Sequence, residues 1–340
     1  MSSHFSYLSF ARDAMVYGPS YGLINQLTRI STPLDPEAVW DATNRVYHPT
    51  IEWFRKNYPP AFMRKLLMWR KMRQAHAKGI TQHYDVSNDF YKIMLDKKYM
   101  FYSCADFLRE EDTLEDAQTN KANAILDLLQ PKAGERILEL GSGWGAMLRV
   151  IRDRTGDSEN LYGYTLSNEQ YEHNQATDGF NVELNDFITC EYPTEKFDAI
   201  YSIGAWEHVR PHEIDPLLKK LHRALVPGGR MVKHFFCLPT DHPPVSTLTA
   251  QLCFPGSQLA SHHFHVQAFE RAGFRIVRQT VSDYRPTIKA WFDNLVTNQD
   301  AAIEAGGIYH YNRYLTFCAM WYRFFQDGEA NLFRFQLVKR

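Results

Sequence analysis

Beyond about residue 80, short apolar runs alternate with stretches of helical periodicity. The runs are rich in β-branched and aromatic residues and have the length of buried strands. They are RILEL (136–140), NLYGYTL (160–166), FDAIYSI (197–203), GRMVKHFF (229–236), FRIVRQTV (274–281) and NLFRFQLVK (331–339). Such alternation is typical of a mostly parallel sheet with helices on both faces. The pattern therefore predicts an α/β, Rossmann-like fold.

The first 80 residues lack this alternation. They are aromatic-rich and carry turn signals at YGPSYG and NYPPAF, which predicts a small helical N-terminal portion (1–80) before a catalytic domain (81–340). Within that domain, a histidine-bearing insertion near 237–265 separates the predicted strand 229–236 from the predicted strand 274–281. It is expected near the carboxyl ends of the strands, where open α/β sheets bind ligands.

Composition narrows the class of protein. The chain has 340 residues, 44% of them hydrophobic, and its 38 basic residues balance 39 acidic ones, so no global field favours nucleic acid. Its five cysteines form no CxxC pair, which disfavours a disulfide framework or a zinc site and favours a reduced, cytoplasmic setting. Because the sequence shows neither a signal peptide nor a membrane-spanning run, we expect a soluble or peripheral protein.

The segment RILELGSGWGAML predicts a cofactor loop between a strand and a helix. Gly141, Gly143 and Gly145 permit a tight turn, and the helix that follows adds partial positive charge. Glu139 ends the strand, where a carboxylate can meet the cationic amino end of S-adenosylmethionine, whereas Trp144 would crowd a pyrophosphate. The alternatives are a dinucleotide site and a glycine turn that binds nothing.

The next strand argues against a dinucleotide. An NAD enzyme would place a carboxylate for the ribose at its end, but the available residues are Thr165, Leu166 and Gln170. Asp186, in the segment ELNDF (183–187), suits an adenine amino group. These residues favour S-adenosylmethionine as the cofactor.

Eight ordered motifs give the chain its family resemblance. They are HYDVSNDFY (83–91), FYSCADF (101–107), ELGSGWG (139–145), TLSNEQ (165–170), GAWEHV (204–209), VPGGRMVKHFF (226–236), FPG (254–256) and DYRPTIKAW (283–291). In this order they resemble the cyclopropane-fatty-acid synthase family, which includes the mycolic acid cyclopropane synthases. The resemblance covers about residues 80–340 and implies the fold of class I S-adenosylmethionine-dependent methyltransferases.

The resemblance also implies a site for a second small molecule, bicarbonate, beside the sulfonium methyl group. The matching residues are Cys104, Glu207, His234, the backbone of Phe236, and Tyr284. Phe236 stands where an aliphatic residue is more usual, which is tolerable if only its backbone takes part. Three further residues are expected to lie over the cofactor: Tyr84, Tyr102 and Ser103.

The chemistry makes this set coherent. Attack of an alkene on a methyl group leaves a carbocation, so a modest base must wait beside it in an apolar pocket until the ring closes. Taken singly, each residue has an ordinary interpretation: Cys104 as a small buried hydrophobe, Glu207 as a helix start, His234 as a core histidine and Tyr284 as packing. Their joint occurrence at matching motifs favours the functional interpretation.

Two further segments need an interpretation. HHFH (262–265) invites a metal site, but adjacent histidines on a strand or loop point in different directions and no carboxylate cluster accompanies them, so we expect no metal. AFMRKLLMWRKMRQAH (61–76) combines aromatic and basic residues, as an interfacial helix does. A solvated or homodimer-forming helix is the alternative, because Arg73 shares the face of Phe62, Leu66 and Trp69.

Together these features predict a cytoplasmic enzyme, peripheral at the inner membrane face, that cyclopropanates an unsaturated acyl chain of a phospholipid. Relatives of this fold also form methyl- or methylene-branched chains or methylate amines, and these remain alternatives. A non-catalytic lipid or cofactor carrier is the alternative from another class.

Overall fold

The computed structural model describes residues 30–44, 87–177, 180–240 and 259–340. This part of the chain forms two compact units. The first contains 30–44, 87–95 and 285–329, and the second contains 96–240, 259–284 and 330–340. Tyr84, the basic segment 61–76 and most of the predicted insertion lie outside the described residues.

The elements are numbered in chain order. The helices are α1 (Pro36–Asn44), α2 (Asn88–Met94), α3 (Leu114–Leu129), α4 (Ala146–Thr155), α5 (Asn168–Thr177), α6 (Pro211–Ala224), α7 (His262–Arg271), α8 (Arg285–Thr297) and α9 (Gln299–Gln326). The strands are β1 (Ile137–Leu140), β2 (Leu161–Thr165), β3 (Asn181–Leu184), β4 (Phe197–Ile203), β5 (Leu225–Cys237), β6 (Phe274–Ser282) and β7 (Asn331–Lys339). A 3₁₀ turn, Trp206–His208, follows β4.

The seven strands form one sheet in the second unit, in the order β3-β2-β1-β4-β5-β7-β6. Neighbouring strands from β3 to β5 are parallel, whereas β7 runs antiparallel to both β5 and β6. The prediction of a mostly parallel sheet is confirmed. The antiparallel register places Arg334 directly opposite His234.

Helices cover both faces of this sheet. On one face, α3 and α4 bury Ile125 and Met147 against Val232 of β5. On the other face, α6 and α7 bury Leu218 and Phe269 in the same core as the strands. The alternation along β5 therefore directs neighbouring residues into two separate cores, because successive strand residues point to opposite faces.

The structure corrects the interpretation of HHFH. These residues begin helix α7 and do not lie on a strand or loop, because Ser261 caps the helix by accepting a hydrogen bond from the Phe264 N–H (3.1 Å). His265, Ala268 and Phe269 recur at helical spacing and are buried. The predicted insertion also begins later, since β5 extends to Cys237.

The first unit is helical. Trp40 of α1 packs between Phe292 of α8 and Tyr322 of α9, with ring centroids 4.7 and 4.8 Å apart. The hydroxyls of Tyr91 and Tyr314 lie 2.7 Å apart and are hydrogen-bonded. Helix α1 thus packs against helices more than 240 residues later in the chain. The boundary near residue 80 stays a prediction.

No helix within the described ranges is long and apolar enough to cross a membrane.

Candidate active site

The glycine loop after β1 needs glycine for specific steric reasons. A Cβ on Gly141 would lie 2.6 Å from the Ala205 Cβ, and one on Gly145 would lie 2.1 Å from the Asn174 Oδ1, while both backbones have positive φ (81° and 75°). Gly143 differs, because a Cβ there would meet no atom within 4 Å. The loop is therefore packed at its ends and open at its middle.

Backbone hydrogen bonds hold this loop in place. The N–H groups of Gly141 and Ser142 both donate to the Tyr164 carbonyl at the end of β2, at 3.0 and 2.9 Å. The Asn174 side-chain amide of α5 donates to the Gly143 carbonyl at 2.8 Å. Asn174 was not among the predicted site residues, and it fixes the open middle of the loop from a helix 31 residues away in sequence.

Glu139 carries a buried carboxyl just before the loop. The residue is 3% exposed, and its Oε2 atom has no hydrogen-bond partner among the residues that the structure describes. Burial raises the pKa of this carboxyl to about 8, although the Tyr201 side chain and the charges of Lys121 and Arg149 lower it. A buried, unpartnered acceptor beside an open glycine fits the cationic amino group of S-adenosylmethionine.

The remaining predicted cofactor residues occupy the carboxyl ends of β2 and β3. The Thr165 hydroxyl donates to the Gln170 Oε1 at 2.8 Å, so these two buried side chains position each other. Asp186 accepts a hydrogen bond from the Ile188 N–H at 2.9 Å. Leu166 is 43% exposed, whereas Trp144 is buried.

Tyr102 and Ser103 lie against the end of β4. A Cβ on Gly204 would be 3.0 Å from the Ser103 Cβ and 3.4 Å from the Tyr102 carbonyl oxygen, so the chain approaches closely there. The Ser103 hydroxyl accepts a hydrogen bond from the Lys121 Nζ at 3.0 Å. Both residues are thus next to the sheet edge that bears the loop.

Glu207 is the middle residue of the 3₁₀ turn after β4. The residue is 9% exposed, and its Oε2 atom meets no hydrogen-bond partner in the described part of the chain. Burial raises its pKa to about 8. Burial raises the pKa of the Cys237 thiol, and the negative charge of ionised Glu207 raises it further. The Glu207 carboxyl therefore lies near Cys237, at the end of β5. The raised pKa of Glu207 favours the protonated carboxyl at neutral pH, and that form can both donate and accept a hydrogen bond.

His234 lies on β5 and is fully buried. Its carbonyl accepts a hydrogen bond from the Gly204 N–H at 2.9 Å, which joins it to the end of β4. Burial, followed by the positive charges of Arg334 and Lys121, holds the pKa of the imidazole well below its ordinary value. The ring is neutral, and its Nε2 atom has no hydrogen-bond partner in the described ranges.

The structure brings three other predicted residues to this region. The Cys104 thiol donates to the Ala105 carbonyl (3.4 Å) and the Asp283 carbonyl (3.7 Å), next to Tyr284 in the chain. The rings of Tyr284 and Phe236 contact each other edge to face, 6.3 Å between centroids. Phe236 follows His234 by two residues on β5. The contacts therefore link Cys104, through Asp283 and Tyr284, to the strand that carries His234.

Three buried charged residues near His234 were missed. Arg334 and Asp106 form an ion pair with an Nη2–Oδ2 distance of 2.9 Å, and Lys121 lies with its Nζ 3.2 Å from the centroid of the Phe101 ring. Burial lowers the pKa of Lys121 to about 7, although the acidic groups of Asp96 and Cys104 act to raise it. The available signal was one arginine within the apolar strand NLFRFQL.

Within the described ranges, no group of three or more His, Cys, Asp or Glu side chains is arranged to hold a metal ion.

The sheet order, the open glycine loop and the buried glutamate at the end of β1 define a class I S-adenosylmethionine-dependent methyltransferase. Residues 71–335 match the family model of mycolic acid cyclopropane synthetase. The chain therefore belongs to that family.

Three proteins show the extent of the similarity. Cyclopropane mycolic acid synthase 3 of Mycobacterium tuberculosis is 32% identical over 287 residues, covering 78% of this chain and 98% of its own. Hydroxymycolate synthase MmaA4 of Mycobacterium bovis is 31% identical over 269 residues, covering 74% and 88%. The crystal structure of cyclopropane synthase CmaA1 with S-adenosylhomocysteine and CTAB superposes with a TM-score of 0.70 at 28% identity, covering 78% and 98%.

Proposed function

We propose that this enzyme adds a one-carbon unit from S-adenosylmethionine across the double bond of an unsaturated phospholipid acyl chain, forming a cyclopropane with bicarbonate as the base. Family membership supports lipid cyclopropanation in general. One observation supports the base site in particular. Within the part of the chain that the structure describes, Glu207 Oε2 and His234 Nε2 are both buried without a hydrogen-bond partner, toward the carboxyl ends of adjacent strands. Buried polar atoms of this kind ordinarily meet a ligand or a water molecule.

An alkene is a weak nucleophile, so the reaction needs a strongly electrophilic methyl donor. S-adenosylmethionine supplies such a methyl group. The chain's part is to hold and orient it. Glu139 would accept a hydrogen bond from its amino group, and Gly143 would leave room for its polar end. The residues after β2 and β3 would hold its nucleoside, with Thr165 and Gln170 positioned by their mutual hydrogen bond.

Bicarbonate would accept the proton that the added methyl group loses before the ring closes. The neutral His234 ring donates to such an anion from Nε2, and the Tyr284 hydroxyl offers a second donor. Glu207 would orient the ion with its buried carboxyl, which can exchange a proton with the anion. The Phe236 backbone completes the set, and the buried surroundings keep water from the cation.

A second product remains open within the same reaction. If the cation loses a different proton, the result is a methyl- or methylene-branched alkene. The similar protein MmaA4 is named a hydroxymycolate synthase, which supports product diversity among the relatives of this chain. Amine methylation is the weaker alternative, because it creates no carbocation that needs a base.

We propose peripheral membrane binding through the segment 61–76, whose basic and aromatic residues suit an anionic bilayer surface. The test compares the wild type with a variant in which Arg64, Lys65, Arg70 and Lys71 are neutralised, by co-sedimentation with anionic liposomes. We expect the variant to remain in the supernatant. Unchanged co-sedimentation would remove the proposal.

The reaction is tested by mass spectrometry of lipids from a bacterium that lacks its own cyclopropane synthase, with and without this gene. Acyl chains that gain a CH₂ unit are then hydrogenated under mild conditions. Resistance to hydrogenation identifies cyclopropanes, whereas hydrogen uptake identifies branched alkenes. If no lipid changes, an untested lipid or a small-molecule acceptor becomes the better assignment.

A calorimetric titration with S-adenosylmethionine tests the non-catalytic carrier alternative. Failure of the protein to bind S-adenosylmethionine would favour that alternative.

Replacing Glu207 by Gln or His234 by Ala should reduce turnover at least about a hundredfold, because each substitution alters a group that holds the base. Calorimetric titration should show S-adenosylmethionine affinity within about threefold of the wild type, since neither side chain belongs to the glycine loop. Full activity in both variants would contradict the base site.

Cys104→Ser should keep substantial turnover, within about tenfold of the wild type. The hydroxyl can make the hydrogen bonds that the thiol makes, and the thiol forms no covalent bond in the proposed reaction. Complete loss of activity in a folded Cys104→Ser protein would indicate nucleophilic catalysis instead.

A further inference from the structure

A buried chain of polar contacts leads away from His234. The Arg334 Nε–H donates to His234 Nδ1 at 3.2 Å, and the Arg334 Nη2 donates to both Asp106 carboxylate oxygens at 3.1 and 2.9 Å. The side chains of Arg334 and Asp106 are only 6% and 10% exposed. The Ser282 hydroxyl donates to Asp106 Oδ1 at 3.1 Å, so the carboxylate is fixed as well.

An arginine in this position has one chemical consequence for the histidine. A guanidinium has five N–H donors and no acceptor, and it does not lose its proton in proteins. The nitrogen that faces Arg334 Nε must therefore be an acceptor. Because a neutral imidazole carries its proton on one nitrogen only, the proton of His234 lies on Nε2. That is the ring atom that has no hydrogen-bond partner among the described residues.

We propose that Arg334, oriented by Asp106, is a positioning residue that holds His234 as a neutral Nε2–H donor toward the bound anion. The inference rests on the proposed function, since the anion is the proposed bicarbonate. Arg334 is not itself a catalytic residue here, because it acts through the histidine.

The other charges around the ring agree with this role. Burial lowers the pKa of His234 most, and the positive charges of Arg334 on β7 and Lys121 on α3 lower it further. The Cys104 backbone raises the pKa, but by less than any of these effects. A second proton, on Nδ1, would face the guanidinium directly. The ring therefore stays a neutral donor through the neutral pH range and does not become a competing acid.

The direct test is nuclear magnetic resonance of protein labelled with ¹⁵N-histidine, in which proton–nitrogen correlations distinguish the two tautomers. A His234→Gln sample identifies the His234 signals among the 14 histidines. We expect the Nε2–H tautomer in the wild type from pH 6 to 8. In Arg334→Met, Nδ1 loses its donor, and we expect a mixture of tautomers or a protonated ring. A wild-type ring with its proton on Nδ1 would overturn the inference.

Turnover as a function of bicarbonate supplies the second readout. Loss of an oriented donor to an anion should raise the bicarbonate concentration for half-maximal turnover about tenfold in Arg334→Met. Arg230→Met is the matched control. Arg230 lies on the same strand as His234 and forms a partly buried ion pair with Glu135, but its partners do not include the His234 ring. We expect its tautomer and its bicarbonate dependence to equal those of the wild type.

Arg334→Met leaves Asp106 without its cation, and this can prevent folding. The double variant Arg334→Met/Asp106→Asn removes both charges and keeps the test available, with the same expected loss of the single tautomer. If a folded variant without Arg334 keeps both the wild-type tautomer and the wild-type bicarbonate dependence, the inference is wrong. If wild-type turnover ignores bicarbonate while the tautomer depends on Arg334, the proposed base fails and the positioning contact stands.

Discussion

If Glu139 meets the amino group as proposed, its protonation connects cofactor binding to pH. Burial raises the pKa of this carboxyl to about 8, so it is mostly protonated at pH 7 in the ligand-free chain. A cationic amino group beside it favours the carboxylate and lowers its pKa. Binding therefore releases a proton wherever the free carboxyl is protonated, and affinity rises with pH up to about 8.

We predict that S-adenosylmethionine binding at pH 7 releases up to one proton and that affinity increases at most about tenfold for each pH unit between 6 and 8. Calorimetric titration in buffers of different ionisation enthalpy measures this proton directly. Glu139→Gln should bind more weakly and remove the Glu139 part of the proton release. Equal proton release in the wild type and in Glu139→Gln would show that Glu139 does not meet the amino group.

Single residues also show where sequence interpretation ends. The motifs indicate His234 and Glu207, but they do not indicate that Arg334, 100 residues away, donates to the histidine ring. That contact depends on the antiparallel register of β7 with β5, which the local pattern does not encode. Lys233 is a similar case: a lysine on a strand ordinarily reaches solvent, yet here it is fully buried with its Nζ 3.6 Å from the Trp206 ring centroid.

At the scale of elements, the glycine loop combines structural and ligand-binding requirements that can be separated. Gly141 and Gly145 are required by contacts within the chain, whereas Gly143 faces open space. Gly134 offers a matched comparison, since it too has a positive φ (80° against 54°) and its Cβ would meet nothing within 4 Å. A methyl group at either position therefore adds backbone strain without a clash.

We predict that Gly143→Ala and Gly134→Ala each lower the free energy of unfolding by about 1 kcal/mol, the cost of a left-handed backbone for alanine. Urea unfolding measures this cost. Only Gly143→Ala should weaken S-adenosylmethionine binding, by about tenfold or more, because its methyl group occupies the side of the loop left open for the ligand. Equal affinities in the two variants would place the cofactor elsewhere.

The elements themselves were predictable to different degrees. The run NLFRFQLVK (331–339) predicted both ends of β7 correctly, because a mostly apolar run of this length between polar residues is typical of a buried strand. The start of β5 was missed, since Leu225 pairs with Phe197 across an irregular register. Helix α7 was mistaken for a strand or loop because three histidines hide its apolar face, which appears only once His265 is seen to be buried.

At the scale of the whole molecule, the described N-terminal residues pack with helices from much later in the chain. The Asn312 side chain of α9 accepts a hydrogen bond from the Leu34 N–H at 2.9 Å and donates to the Thr32 carbonyl at 2.9 Å. Trp40 adds an aromatic contact to each of α8 and α9. Residues 30–44 are thus part of a helical unit whose other helices come from much later in the chain.

Deleting residues 1–44 should therefore loosen the helices far away in sequence while leaving the family match, residues 71–335, intact. We predict that amide hydrogen exchange in α8 and α9 becomes faster in the truncated protein, and that Trp40→Ala alone destabilises this unit by about 2 kcal/mol because the tryptophan is half-buried. Peptides from β1 and β4, which lie in the other unit, provide the internal reference for exchange. An N-terminal portion that folds independently would instead give unchanged protection in α8 and α9. Since the deletion keeps the basic segment 61–76, liposome binding by the truncated protein would separate membrane attachment from the packing role of α1.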